Sequence, residues 1–219
     1  ELLPNMRHII FAGGEPLYIK IHTKFLEKIV ELGYAKNIEL RYHTNATILP
    51  DNILELWSEF KFVELMLSID AIGEQNYWLR YPANWNVIKT NLQKIDKAGD
   101  PLYAKILCTV NAINVLYLTE MAEWLLNQNF KRIGMQDHDG LFHPGILHYP
   151  TYLCCKVLSQ NIKDMATKKI DKFQELHPDN KQISNIKNAI NFMNLENTSH
   201  LLPDLKQYIK AIDSMRKTN

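Results

Sequence analysis

Long hydrophobic runs are missing from this 219-residue chain. No stretch approaches the roughly 18 apolar residues that span a bilayer, and the first residues lack the order of a signal peptide, so no membrane association is expected. Cysteine is scarce. Cys108, Cys154 and Cys155 cannot make an extracellular disulfide framework, and two adjacent cysteines are poorly placed to bridge each other, so a reducing, cytoplasmic setting is expected. An excess of one charge is lacking too: the formal net charge is +1, which leaves no basic field of the kind that non-specific nucleic-acid binding requires. Internal repeats and low-complexity tracts are absent. So are a catalytic carboxylate pair, a nucleophile-base set and a long glycine-rich phosphate loop, which counts against a sugar or phosphate enzyme. There is no initiator methionine. Glu1-Leu2-Leu3-Pro4 opens mid-pattern and residues 8 to 12 already read as an apolar strand, so a piece of a longer protein is expected.

What is present is a globular composition, 46% hydrophobic and 22% charged, enough to bury one substantial core or a core with an appendage. From residue 7 to 136 short β-type runs alternate with longer amphipathic ones, the pattern of parallel strands joined by crossover helices and hence of an α/β fold. Strands are predicted at 7 to 12, 37 to 43, 62 to 69, 103 to 110 and 131 to 136. Between them "IKIHTKFLEKIVELG" has helical spacing and stops on Gly33, "LPDNILELWSEF" starts with Asp51 near its cap position, and helices are predicted at 84 to 98 and 114 to 128. Beyond residue 137 the texture changes: "DHDGLFHPGILHYP" reads as a loop, "TYLCCKVL" as a strand, and helices follow at about 159 to 176, 180 to 194 and 203 to 216. This divides the chain into an α/β unit over 1–137 and a mostly helical extension over 138–219.

In a parallel sheet, ligands gather at the carboxyl ends of the strands. The first end is Gly13-Gly14-Glu15-Pro16, where two glycines let something approach the backbone and the proline prevents a return to a ladder. The second is His43-Thr44-Asn45. The third is Ser68-Ile69-Asp70, with Arg80 ten residues on. Together they put bare backbone, carboxylates, hydroxyls, an amide and a guanidinium around one rim. An ammonium wants carboxylate and carbonyl oxygens, a carboxylate wants arginine, and a ribose diol wants Asp, Asn or Ser, so the rim suits an amino-acid nucleoside.

"FAGGEPL", "YHTNATIL" and "LMLSIDAIGEQNYWLRYP", in that order and spacing, resemble the second, third and fourth strands of radical S-adenosylmethionine (SAM) enzymes. "YPTYLCCKVLSQNIKDM", "NAINFMN" and "LKQYIKAIDSMR" resemble the tail of a bacterial and phage twitch-domain group of these proteins. The resemblance implies a partial (β/α)6 barrel, lacking its first strand, with an α-rich C-terminal appendage. It implies that Gly13, Gly14 and Glu15 meet the methionyl amino group of SAM, with Pro16 holding the turn. By the same resemblance Thr44 and Asn45 are polar residues of the third strand end, Ser68 and Asp70 contact the methionyl or ribose part, and Arg80 faces the carboxylate. The activity implied is reductive cleavage of SAM to a 5'-deoxyadenosyl radical at a four-iron four-sulfur cluster, with a reductant such as flavodoxin or ferredoxin and an unidentified small-molecule or peptide substrate.

One departure stands against the matches. The family's Cys-x3-Cys-x2-Cys motif, whose thiolates hold the cluster, is not in this sequence, and Cys108, Cys154 and Cys155 have neither its spacing nor its place. The motif is expected upstream of residue 1, and the chain alone is expected to be inactive. A non-catalytic nucleoside- or peptide-binding module on a degenerate barrel is the alternative. Each signal also has a plainer meaning: a tight turn at Gly13-Gly14, side-chain caps at Thr44-Asn45, Ser68 and Asp70, a surface ion pair at Arg80. Asp137, His138, Asp139, His143 and His148 match no familiar zinc spacing, so no metal is expected there. Cys154 and Cys155 read as buried small hydrophobes. Of the aromatics, Trp57, Trp85 and Trp124 read as core, whereas Trp78 and Tyr81 belong near the site.

Overall fold

Alternation of side chains along each strand sorts the sheet into two faces. The computed structural model describes residues 3–50, 52–134 and 140–216. Within them β1 (His8–Phe11), β2 (Glu39–Thr44), β3 (Phe62–Ser68), β4 (Leu102–Val110) and β5 (His143–Ile146) pair in the order β1-β2-β3-β4-β5, each parallel to its neighbour. Leu40 lies beside Val63, Tyr42 beside Leu65 and Thr44 beside Leu67, and all six are buried. Ala104, Ile106, Cys108 and Val110 continue this face across β4. The period of two puts Arg41, Glu64 and Lys105 on the opposite face. There Glu64, only 6% exposed, takes Arg41 Nε at 2.6 Å on one oxygen and Lys105 Nζ at 3.0 Å on the other.

The crossovers are α1 (Lys20–Glu31), α2 (Ile53–Ser58), α3 (Gly73–Leu79) with α4 (Trp85–Lys97), and α5 (Leu118–Gln128), followed by α6 (Gln160–Leu176), α7 (Gln182–Asn194) and α8 (Leu202–Arg216). Helix α1 turns His22, Leu26 and Ile29 inward at spacings of four and three, the stripe that a 3.6-residue period aims at a core. Asn84 caps α4 by accepting from the N–H groups of Asn86 and Val87. One hydrophobic core runs from α1 and the sheet through Phe173, Ile186 and Leu205 of the last three helices.

Three expectations change. Over 131 to 134 only Ile133 bridges to β4, beside Ala104, and parallel pairing with β4 resumes ten residues later as β5, inside the stretch expected to be a loop. "TYLCCKVL" is not a strand but two 3-10 turns, Thr151–Leu153 and Cys155–Val157. The expected cap Asp51 and the 137/138 division lie outside the described residues. The chain is steered into β5 by Gln182, fully buried, whose Oε1 accepts from Leu141 and Phe142 N–H at 2.7 and 3.0 Å. Gly140 makes that approach possible: at φ +97°, a Cβ there would sit 2.4 Å from Gln182 Oε1 and 3.0 Å from its Cα.

The outer edge of β1 borders an apolar groove of about 400 Å³ that includes Ile10, Ile19, Ile21 and Phe25. His22 lines it from α1. Trp57 Nε1, which can only donate, gives its hydrogen to Tyr42 Oη at 3.2 Å, and His22 Nε2 shares a hydrogen bond with the same hydroxyl at 2.8 Å. His22 Nδ1 is buried with no partner among the described residues. Burial holds the His22 pKa below its ordinary 6.5. The unfolded chain therefore takes up a proton at higher pH than the folded one. The stability that neutral His22 contributes is complete above 6.5 and falls as pH drops below it towards the folded value. Chemical unfolding at pH 7.5 and 5.5 should show wild type losing stability across the interval and His22→Gln losing less; equal slopes would remove His22 from the account.

Candidate functional site

Strand β1 ends at Phe11, and the chain turns through Gly13 at φ +85° and Gly14 at φ +54°. No atom lies within 4 Å of a Cβ placed on either, so it is the left-handed backbone and not crowding that calls for glycine. The turn delivers Glu15, half-buried, to the end of β2. Glu15 Oε1 accepts from Leu17 N at 3.3 Å, capping the 3-10 turn Pro16–Tyr18, and from Thr44 Oγ1 at 2.7 Å. Its Oε2 accepts from Asn45 N at 2.9 Å. A carboxylate offers about four acceptor positions, so one remains on Oε2. Beyond it, Asn45 Oδ1 gathers Thr47 N and Oγ1 at 2.9 and 2.6 Å, and Asn91 of α4 holds the Ala46 carbonyl at 2.9 Å.

At the end of β3, Ser68 is half-buried and Asp70 is buried. Asp70 ties four segments together. Its Oδ1 accepts from Thr109 N at 2.7 Å, its N–H reaches Asn76 Oδ1 at 3.2 Å, and its carbonyl accepts from Asn114 Nδ2 at 2.9 Å. Its Oδ2 lies 2.8 Å from Arg80 Nε. That Nε has no hydrogen-bond partner, so the pair is held by charge and proximity and not by an aimed N–H. The neighbouring Cys108 thiol is pushed well up, first by burial and then by the Asp70 charge, and stays protonated.

These ends meet a cavity of about 460 Å³. Asn45, Asp70 and Arg80 line it together with Thr109 and Asn111, at and just beyond the end of β4, and with Tyr208 and Arg216 of α8. Helix α8 is fastened to α3 there. Trp78 Nε1 donates to Asp213 Oδ1 at 2.7 Å, Arg216 Nη1 donates to the Trp78 carbonyl, and the Arg216 guanidinium sits 4.8 Å from the Tyr81 ring centre and 5.6 Å from that of Trp78.

Glu15, Thr44 and Asn45 thus form one hydrogen-bonded unit, and Asn45 lines the same cavity as Asp70 and Arg80. Trp78 and Tyr81 line the same cavity. Ser68 is not among its lining residues. Gly13 and Pro16 line the apolar groove at the edge of β1, and Gly14 is exposed. Sequence reasoning missed Tyr208, Asp213 and Arg216; the partner of the last two, Trp78 of α3, lies some 135 residues earlier, and no spacing rule connects them.

Among the described residues no group of three His, Cys, Asp or Glu side chains could hold a metal ion. Cys155 is raised to about 12, chiefly by burial, which rules it out as a ready thiolate ligand. An iron–sulfur cluster therefore does not fit the residues described. His148 packs its ring on Phe192 at 5.2 Å and His143 is exposed on β5, while Asp137, His138 and Asp139 lie outside the described residues. Among the described residues no helix is long and apolar enough to cross a membrane.

No family model matches the sequence, and no curated protein does either. Solved structures do match in fold. Native anSMEcpe with bound AdoMet and Kp18Cys peptide superposes with a TM-score of 0.52 at 17% identity, covering 78% of this chain and 46% of that one. The same protein with AdoMet and Cp18Cys peptide gives a TM-score of 0.54 at 17% identity, with 79% and 48% covered. The chain thus spans about half the length of the structures it resembles, and at this identity the likeness is one of fold.

Proposed function

We propose that this chain is the S-adenosylmethionine-binding core of a radical SAM enzyme of the twitch-domain group, built as a partial (β/α)6 barrel. The observation that carries the proposal is that Glu15 is hydrogen-bonded to Thr44 and Asn45, and that Asn45 lines the same cavity as Asp70 and Arg80. Strand order supports it as well: a sheet running 1-2-3-4-5 is the order of a barrel, whereas a doubly wound sheet reverses direction at a switch point. AdoMet in the anSMEcpe structures supports the choice of nucleoside. The free acceptor position on Glu15 Oε2 would take the methionyl ammonium, with the carbonyls of the Gly13-Gly14 turn nearby. Arg80, positioned by Asp70, would take the carboxylate; Asn45 and Ser68 would serve the rest of the methionyl-ribose part.

The cluster ligands, and with them the radical chemistry, belong to a part of the protein other than the residues described. The groove along β1, with Ile10 60% exposed and His22 Nδ1 unpartnered, is where we place the missing first strand. A one-electron donor such as flavodoxin or ferredoxin would be the redox partner. A non-catalytic nucleoside- or peptide-binding module remains the second reading, favoured by the lack of a metal-binding group among the described residues. Anaerobic reconstitution of the full-length gene product with iron and sulfide, followed by an assay for 5'-deoxyadenosine, separates the two.

Nucleoside binding is testable on this chain directly. Equilibrium dialysis with labelled SAM should show saturable binding, weakened roughly 10- to 100-fold in Arg80→Ala, the range for one hydrogen bond to a charged group. Methylthioadenosine, which lacks the amino-acid end, should bind both proteins alike. A wild-type chain that does not bind SAM ends the proposal.

A further inference from the structure

The cavity contains two guanidinium groups, and they are not equivalent. Arg80 is balanced by Asp70 at 2.8 Å. Arg216, from the last turn of α8, has no carboxylate within ion-pair distance among the described residues: the nearby Asp213 offers an oxygen to the Trp78 indole and is not part of the cavity wall. One of its five N–H groups is used by the Trp78 carbonyl, and the rings of Trp78 and Tyr81 hold its plane. The result is a pre-oriented planar cation in the lining of the cavity. Asn111 and Tyr208 line the same cavity.

We infer that Arg216 is an anion-binding group of the cavity and that the substrate of this site carries a single carboxylate at it. The inference rests on the cavity being the cofactor's site, since it assigns the lining contributed by α8, and not that of Asn45, Asp70 and Arg80, to the second reactant. Charge selects the class. With Asp70 and Arg80 cancelling, the lining has one uncompensated positive charge among the described residues, which matches a monoanion and not a phosphate dianion. Geometry selects it too, because a guanidinium fork presents parallel N–H groups to the two oxygens of a carboxylate. The plainer role of Arg216 is to tack α8 onto α3. A tack, however, has no preference between a charged and a neutral ligand.

Calorimetric titration with N-acetylglycine, N-acetylglycinamide and inorganic phosphate separates these outcomes. Wild type should bind the carboxylate saturably, and at least tenfold more tightly than either the neutral amide or phosphate. Arg216→Gln should lose that preference, with N-acetylglycine binding falling about tenfold or more. Arg216→Lys keeps the charge and the helix but loses the planar fork, so it should fold and bind the carboxylate several-fold more weakly; it carries the test if the glutamine variant does not fold. Carboxylate and amide binding alike, phosphate binding best, or N-acetylglycine binding unchanged in both variants would each overturn the inference. SAM binding by wild type reads the cofactor proposal by itself, so the two fail separately.

Discussion

Replacing Asp70 with alanine is expected to lower the unfolding free energy by about 3 kcal/mol. Removing one partner of a buried ion pair costs about 3–5 kcal/mol because the other charge is left uncompensated. Arg80 is 27% exposed in its side chain, so water recovers part of that cost. The loss of the acceptor for Thr109 N adds about 1–3 kcal/mol where the N–H cannot rehydrate. For a chain of this length 1 kcal/mol moves the midpoint by roughly 2–4 °C, so thermal melts should show a drop of about 6–12 °C. Asp70→Asn separates the parts, since its Oδ1 still accepts from Thr109 while the charge is gone; an intermediate drop is expected. The double variant Asp70→Ala/Arg80→Ala should recover stability relative to the sum of the single changes, because the stranded cation is removed with its partner. Melts within a degree or two of wild type for Asp70→Ala would mean that the strand ends are held by something other than this carboxylate.

The strand ends that Asp70 connects were legible because each sits where a period of two breaks against glycine, threonine-asparagine or a lone acid. Those breaks are local, so β1 to β4 appear in the sequence within a few residues of where they form. Strand β5 was not legible, and its composition explains why. "HPGI" contains a proline and a glycine, which read as loop. Proline is tolerated at a sheet edge because its missing N–H costs no ladder bond on the unpaired side, and among the described residues β5 pairs only with β4. What selects strand here is tertiary: Gln182, some forty residues away, takes the two N–H groups that lead into it. The 3-10 turns around Cys154 and Cys155 are hidden in the same way. "TYLCCKVL" has β-type residues, but Pro150 and packing against the last helices win over propensity.

The candidate site divides along the same line. Its strand-end half, Glu15, Thr44, Asn45, Asp70 and Arg80, lies within about 65 residues of chain and could be assembled from the βα period. Its far half depends on α8 returning to α3, through contacts such as Trp78 with Asp213 and Arg216. No spacing rule predicts those contacts. A tryptophan and a tyrosine flanking an arginine gave the only hint of them, since aromatic faces beside a cavity attract cations from any part of the chain.

Glu15→Gln should leave the fold standing and remove the amino-acid selectivity of the site. The amide can turn its oxygen to Asn45 N and its NH2 to Thr44 Oγ1, because a hydroxyl both donates and accepts; the long 3.3 Å cap on Leu17 N and the hydrogen that Thr44 donates are then without their carboxylate oxygen. The melting temperature should fall by no more than a few degrees. The carboxylate charge, though, is gone, and an ammonium that met Oε2 would meet a neutral amide. Hydrogen bonds to charged groups contribute about 1.5–3 kcal/mol, so SAM should bind roughly 10- to 100-fold more weakly, while methylthioadenosine, with no ammonium, should bind as it does to wild type. Glu15→Ala behaves differently: it strands the buried Thr44 hydroxyl and Asn45 N, loosens the ends of β1 and β2 by about 1–3 kcal/mol, and should weaken both nucleosides. Equal loss of SAM and methylthioadenosine in the glutamine variant would reduce Glu15 to a scaffold, and unchanged SAM binding would remove it from the site altogether.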